Sequence, residues 1–171
     1  MTFHYDSKYW SDKNEYNLPG GKTGFDSQET KLPTYWNTSF SKICLGMKIG
    51  QKIKFIVINK RAKSLYLLIA SGQFHATSLS RDKWKILIGP DASLQTGCNT
   101  EGFNSMCTNL ETKARIGILG NSGSRCDNCD SKIGFGTKGH PFDSNTCGNA
   151  ATDESDNGAK NIRAMGYILV Q

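Results

Sequence analysis

Ile53-Lys-Phe-Ile-Val-Ile58 decides the fold class. All of its residues but Lys54 are β-branched or aromatic, which suits a pleated, half-buried surface, so the stretch reads as a strand. Downstream, Ser64-Leu-Tyr-Leu-Leu-Ile-Ala-Ser71 has Ser64 at an N-cap and Gly72 at a C-cap, and reads as a short helix. A second helix is expected over Arg81-Asp-Lys-Trp-Lys-Ile-Leu-Ile88, with Trp84, Leu87 and Ile88 on one stripe and a stop at Gly89-Pro90. Both are about two turns long and too short to stand alone, so they must lie on a sheet.

Residues 42–95 thus hold the most regular structure. Residues 1–41 (Tyr9-Trp10, Tyr16, Leu18-Pro-Gly-Gly21, Gly24-Phe25, Pro33-Thr-Tyr-Trp36) keep no helical period and read as short strands and loops that pack rings on the core. Residues 96–171 alternate apolar pieces (Ala114–Leu119, Ile133–Gly136, Ala164–Val170) with polar loops. Ala164-Met-Gly-Tyr-Ile-Leu-Val170 is the clearest strand, and Thr137 to Asn161 reads as one long loop. Loops beyond about 12–15 residues are uncommon unless functional.

With 171 residues, 37% hydrophobic and 21% charged, the chain is expected to be a single domain, 1–171, and not a disordered or collagen-like polymer. No apolar run approaches the roughly 20 residues needed to cross a bilayer. The net charge of +6 is uneven: ten basic residues lie from Lys42 to Lys85 (Lys42, Lys48, Lys52, Lys54, Lys60, Arg61, Lys63, Arg81, Lys83, Lys85) against Asp82 alone. That segment is either a solvated basic face or a surface for polyanions such as sulfated glycans or mineral. Nucleic acid is the least expected of these, because no recognition-module signature is present.

Six cysteines, five of them crowded into the last 74 residues, point to disulfides and an oxidising compartment. The chain is accordingly expected to be secreted, its signal peptide removed. The zinc alternative rests on Cys126-Asp-Asn-Cys129, which lacks a second pair at similar spacing. Six cysteines allow 15 pairings among which the sequence does not choose. Joining Cys44 to Cys98, Cys107 to Cys126 and Cys129 to Cys147 would tether the middle to the stapled half and close each loop.

Calcium takes about six to eight oxygens from carboxylates, amides and carbonyls, and loops of Asp, Asn and Gly supply them. Asp153-Glu-Ser-Asp-Asn-Gly158, with Asp153 and Asp156, is one candidate, and Asn121 with Asp127, Asn128 and Asp130 is another. Neither has EF-hand spacing, and the same residues also build plain turns. For catalysis the sequence offers little: His4, His75 and His140 lie near no nucleophile elbow or metalloprotease pair, and no phosphate-binding glycine pattern follows a strand. No enzyme activity is expected.

Gly97-Cys-Asn-Thr-Glu-Gly102, Ile116-Gly-Ile-Leu-Gly120, Cys126-Asp127, Gly134-Phe-Gly-Thr137 and the closing strand resemble the C-terminal half of the intelectins, which are fibrinogen-related, calcium-dependent lectins. Tyr16–Phe25, Tyr35-Trp36, Lys42–Met47, Ser64–Tyr66 and Trp84-Lys85 are similar to fibrinogen-like proteins of cnidarians, including skeletal organic matrix components. With that group the similarity spans almost the whole chain; with intelectins it covers about the last 75 residues. The resemblance implies a single irregular α+β domain with a small antiparallel sheet, short helices, disulfide-stapled loops and bound Ca²⁺. It carries metal-ligand roles onto Asn99, Glu101 and Asp127 or Asn128, and onto Asn121 approximately. Phe103, Phe135 and His140 could flank a ligand, Phe135 being at home in a core as well. Gly102 stands where intelectins have His, and Ser131-Lys132-Ile133 replaces their aromatic residue, so the sugar-reading box is not preserved.

Two functions follow as expectations: a secreted calcium-dependent lectin for cell-surface or microbial glycans, or a matrix or adhesion protein that uses Ca²⁺ only structurally and binds polyanions through its basic middle. Fibrinogen-related lectins commonly form multimers, so a homo-oligomer is among the expectations. Asn37-Thr-Ser39 is a glycosylation sequon compatible with both.

Overall fold

The computed structural model describes residues 1–22, 24–109 and 112–171. The chain is a small, mostly β domain built on two antiparallel sheets with a few short helices. The predicted strand at 53–58 is the middle of Lys52–Ala62 (β2), paired in a hairpin with Phe40–Ile49 (β1). Ile49 pairs with Lys52, leaving Gly50-Gln51 as a two-residue turn, and Gly50 takes φ +61°, which glycine adopts at no steric cost. Met165–Val170 (β9), the closing strand read from the sequence, adds to β1 on its other side, giving the order β2-β1-β9.

The second sheet has six strands in sequence order: His75–Ala76 (β3), Cys98–Met106 (β4), Lys113–Asn121 (β5), Ser131–Lys138 (β6), Cys147–Ala151 (β7) and Lys160–Arg163 (β8). Thr34–Asn37 (α1), Leu65–Ile69 (α2) and Arg81–Lys85 (α3) are the α-helices. α2 starts as its sequence dictates: Ser64 Oγ accepts from the Leu67 N–H, and Gly72 donates to the Ile69 carbonyl at φ +74°. α3 ends at Lys85 and turns continue it to Ile88, with Trp84, Leu87 and Ile88 all buried. Ile43, Leu45 and Met47 of β1, Ile56 and Ile58 of β2, Leu65, Leu68 and Ile69 of α2, Trp84 of α3, and Phe103, Ile116, Ile118, Ile133 and Phe135 of the larger sheet form one core cluster. The regular structure is therefore more heavily β than the α+β reading expected.

The expected loop over 137–161 is corrected by β7, every residue of which is buried. Its sequence, Cys-Gly-Asn-Ala-Ala, lacks the branched and aromatic residues that mark strands. What holds it is polar. Asn149, fully buried, accepts from the Ser93 N–H and donates to the carbonyls of Ser93 and Lys132. Asn145 donates to Asn149 O, Asn161 Oδ1 and Ile162 O. Side chains that resemble loop ligands in sequence are here internal struts for buried backbone.

The three expected disulfide pairings are also corrected. Cys98 is bonded to Cys126 and Cys107 to Cys129, while Cys44 and Cys147 are free thiols. Cys44 lies in the middle of β1, opposite Val57 and Leu169, and Cys147 lies in β7. Both bridges staple the 122–130 loop to the two ends of β4. A straight nine-residue strand spans about 30 Å, more than two bridges to cysteines only three positions apart can accommodate. β4 therefore bends, with positive φ at Gly102 (+140°) and Asn104 (+53°). Asn104 uses that turn to donate to the carbonyls of Leu68, Ile69 and Gln73, closing the C-terminal end of α2.

Lys132 of β6 is 1% exposed, its Nζ donating to Gly139 O at 2.6 Å and Phe142 O at 3.4 Å. Burial pushes its ammonium down to about 8, against the opposing pull of Asp143. Below about pH 8 folded and unfolded chains both hold that proton; above it only the unfolded chain does, so stability rises with pH. Burial raises the Cys147 thiol from 9.0 to about 12, and the Tyr35 phenol above its usual 10.0. Unfolding lets each ionise first, Cys147 above about pH 9 and Tyr35 above about pH 10, and both lower stability as pH climbs. Urea denaturation across this range is expected to show a rise between about pH 8 and 9, a plateau, then a fall. Lys132→Met should abolish the rise and leave the fall.

Candidate functional site

The sequence-predicted ligand residues fall in separate places: Asn99, Asn121 and Asp130 gather around Gln95 and Gly120, whereas Glu101 and Asp156 hold α3. Glu101 lies on β4, beside β3 and the N-terminal end of α3, and both of its oxygens are taken. Oε2 accepts from Thr77 Oγ1 (2.5 Å), Trp84 Nε1 (2.8 Å) and the Leu79 N–H (3.0 Å), and Oε1 from the Ser80 N–H (2.8 Å). Burial alone would raise its pKa; the hydrogen bonds from Thr77, Trp84, Leu79 and Ser80 outweigh that and hold the carboxyl below its usual 4.5. Asp156 is engaged in the same way. It is ion-paired to Arg81 and Lys85 and accepts from the Leu94 N–H, and these contacts overcome burial to lower its pKa. Both residues are clamps that fix α3 and the 90–95 segment to the larger sheet.

Asn121, buried at the end of β5, donates to the Arg125 carbonyl, and Asn99 donates to the carbonyls of Gln95 and Cys98. Asp130 accepts from Gln95 Nε2, with His140 Nε2 3.2 Å from its other oxygen. Asp127 stands 3.3 Å from Arg125 Nε, and Asn128 and Asp153 are exposed. Among the described residues no group of three or more His, Cys, Asp and Glu side chains stands close enough to hold a metal ion. Of the residues assigned to flank a ligand, Phe103 is fully buried and Phe135 is 3% exposed, both in the core, whereas His140 is about half exposed.

The basic segment behaves differently. Of its cations, Arg81 and Lys85 pair with Asp156, and Lys54 donates to the Ile88 carbonyl. Lys42, Lys48, Lys52, Lys60, Arg61 and Lys63 form no ion pair among the described residues, and no acidic residue lies between Glu29 and Asp82 in the chain. The hairpin gathers four of them at one end. The β1–β2 register slips between Phe40 and Lys42, a bulge that sets Lys60 and Arg61 against a single residue of β1. There Ser39, Phe40, Ser41, Arg61, Ala62, Lys63 and Gln171 line a shallow open depression. Two cationic side chains and two exposed hydroxyls around a depression, with Lys42 and Lys60 beside it, can bind sulfate or carboxylate groups by charge-assisted hydrogen bonds. Only the charge count pointed to this cluster in the sequence; the bulge that concentrates it left no mark there.

A separate cavity of about 500 Å³ runs between the N-terminal segment and β9. Phe3, Trp10, Leu32 and Tyr35, residues 165–170, and Phe135 and Cys147 are among the residues that line it. Among the described residues no helix is long and apolar enough to cross a membrane. The two disulfides indicate folding in an extracellular or otherwise oxidising environment. In comparisons with protein-family models, curated proteins and solved structures, the chain has no match.

Proposed function

We propose that the chain is a secreted, non-catalytic matrix or adhesion module that binds a sulfated or carboxylated polymer through the bulged end of the β1–β2 hairpin. The observation that carries this reading is the set of four cations at that end of the hairpin, Lys42, Lys60, Arg61 and Lys63, without a carboxylate partner among the described residues. Unneutralised cations around a depression repel one another, and a polyanion relieves that repulsion while supplying the missing acceptors. The resemblance to fibrinogen-like skeletal matrix proteins agrees with the reading. A calcium-dependent lectin finds less support, because Glu101 and Asp156 are filled by protein donors; a cation would fall to Asp127, Asn128, Asp130 and Asp153.

The test is retention on an immobilised sulfated polysaccharide in a salt gradient. The wild type should elute well above physiological salt, and a Lys60→Glu, Arg61→Glu, Lys63→Glu variant should elute near the void, since at physiological salt the remaining exposed charges are screened beyond about 8 Å. A control with reversals at Lys8, Lys13 and Lys83, all exposed and off the hairpin, should move far less. Equal shifts in the two variants would reduce the effect to net charge and remove the site.

A further inference from the structure

Lys42 and Gln171 exchange both backbone hydrogen bonds, each N–H donating to the other's carbonyl. With the register Cys44 to Leu169, Gly46 to Tyr167 and Lys48 to Met165, antiparallel alternation assigns those pairs the remaining β1–β9 bonds. The N–H and C=O of Gly166, Ile168 and Val170 therefore point away from β1. None of these six groups has a protein partner among the described residues. β9 is an outer strand of its sheet, and all of its residues, from Met165 to Val170, line the 500 Å³ cavity. Successive side chains of a strand point to opposite faces, so a cavity that touches every one of them runs along the strand's free edge and not over one face.

Three donor–acceptor sets at strand spacing, spanning about 14 Å from Gly166 to Val170, match one ligand chemistry, the backbone of an extended polypeptide. A sugar or a lipid offers no such repeat. The rest of the lining adds the second requirement. Phe3, Trp10, Leu32 and Tyr35 supply apolar surface for alternate side chains, and Gly24, with open space where a Cβ would stand, adds no bulk to the lining. The volume lies within the range of built binding sites, about 300–1,000 Å³.

We infer that the free edge of β9 and the aromatic wall facing it form a slot for an extended segment of a partner protein, one that adds a fourth strand beside β9 and places alternate apolar side chains against Phe3, Trp10 and Tyr35. This is strand addition, in which main-chain bonds give affinity and the wall gives selectivity. The slot is independent of the basic hairpin, so a matrix module would hold a polymer and a protein at different places.

The probe is a phage-displayed library of random heptapeptides panned on the intact protein, with the enriched peptides then synthesised. Enrichment of sequences with apolar residues at alternate positions is expected, and binding should protect the amides of Gly166, Ile168 and Val170 from hydrogen exchange. Ile168→Pro removes one outward N–H and no bond to β1, because that N–H faces the slot; affinity should fall at least tenfold. N-methylation of the peptide at alternate residues leaves the protein untouched and should cause a similar loss in one of the two registers. The inference is overturned by no enrichment, by enriched peptides that protect none of the three amides, or by full affinity in both N-methyl registers. A concentration-dependent dimer abolished by Ile168→Pro would overturn the occupant in favour of a second copy of the chain.

Discussion

Glu101→Ala is expected to destabilise the protein by about 2–4 kcal/mol, because it strips acceptors from a fully buried indole N–H and from the donors of Thr77, Leu79 and Ser80 together. For a chain of this length that is a fall of roughly 5–15 °C in the thermal midpoint. Glu101→Gln should lose less, since its remaining carbonyl oxygen keeps one face of the site while the amide meets donors with a donor. The loss should be the same in millimolar Ca²⁺ and in a chelator. If the variant were as stable as the wild type without calcium and weaker only with it, Glu101 would be a metal ligand and not a clamp.

The second large effect belongs to the stapled half. Cys98–Cys126 and Cys107–Cys129 close loops of 28 and 22 residues, each worth about 3 kcal/mol by loop-closure entropy. Replacing Cys107 and Cys129 together by Ala should lower the unfolding free energy by about that amount and expose the 122–130 loop to proteases. Cys44→Ala should change stability little, because Cys44 is bonded to no other cysteine. Peptide mapping of the oxidised protein gives the direct check. Peptides linking Cys98 to Cys126 and Cys107 to Cys129 are expected, and any bridge to Cys44 or Cys147 would contradict the fold as described.

Much of the architecture could be read from local chemistry, and what could not has identifiable causes. The strand around Ile53–Ile58, the closing strand and the Ser64-capped helix were legible because branching, ring content and capping act within a few residues. β7 was not, because its stability comes from Asn149 and Asn145 bonding to segments 17 to 56 residues away. The same long-range bonding hid the role of Glu101. As a sequence letter it is an oxygen donor for a cation, and only the approach of Thr77 and Trp84 shows that its lone pairs are spoken for. Disulfide pairing was illegible for a related reason: the bend in β4 at Gly102 and Asn104 brings Cys98 and Cys107 to one loop, and no spacing rule encodes that bend. The basic segment was legible as charge, while its concentration at one end required the bulge opposite Ser41.

The proposed function rests on the basic hairpin and not on the acidic loops. Glu101, Asn145, Asn149 and Asp156 are consumed by the fold, holding α3, β7 and the 90–95 segment in place. Lys42, Lys60, Arg61 and Lys63 have no carboxylate partner among the described residues, and a surface charge without a partner is available to a ligand in a way that a paired one is not.

The most direct measurement is a binding titration of the wild type with a sulfated and with a neutral polysaccharide, in a chelating buffer, at two salt concentrations. The sulfated polymer is expected to bind without divalent metal, with an affinity that falls steeply with added salt, and the neutral polymer is expected not to bind. Binding of the neutral polymer that appears only when Ca²⁺ is restored, with the sulfated polymer no better, would contradict it.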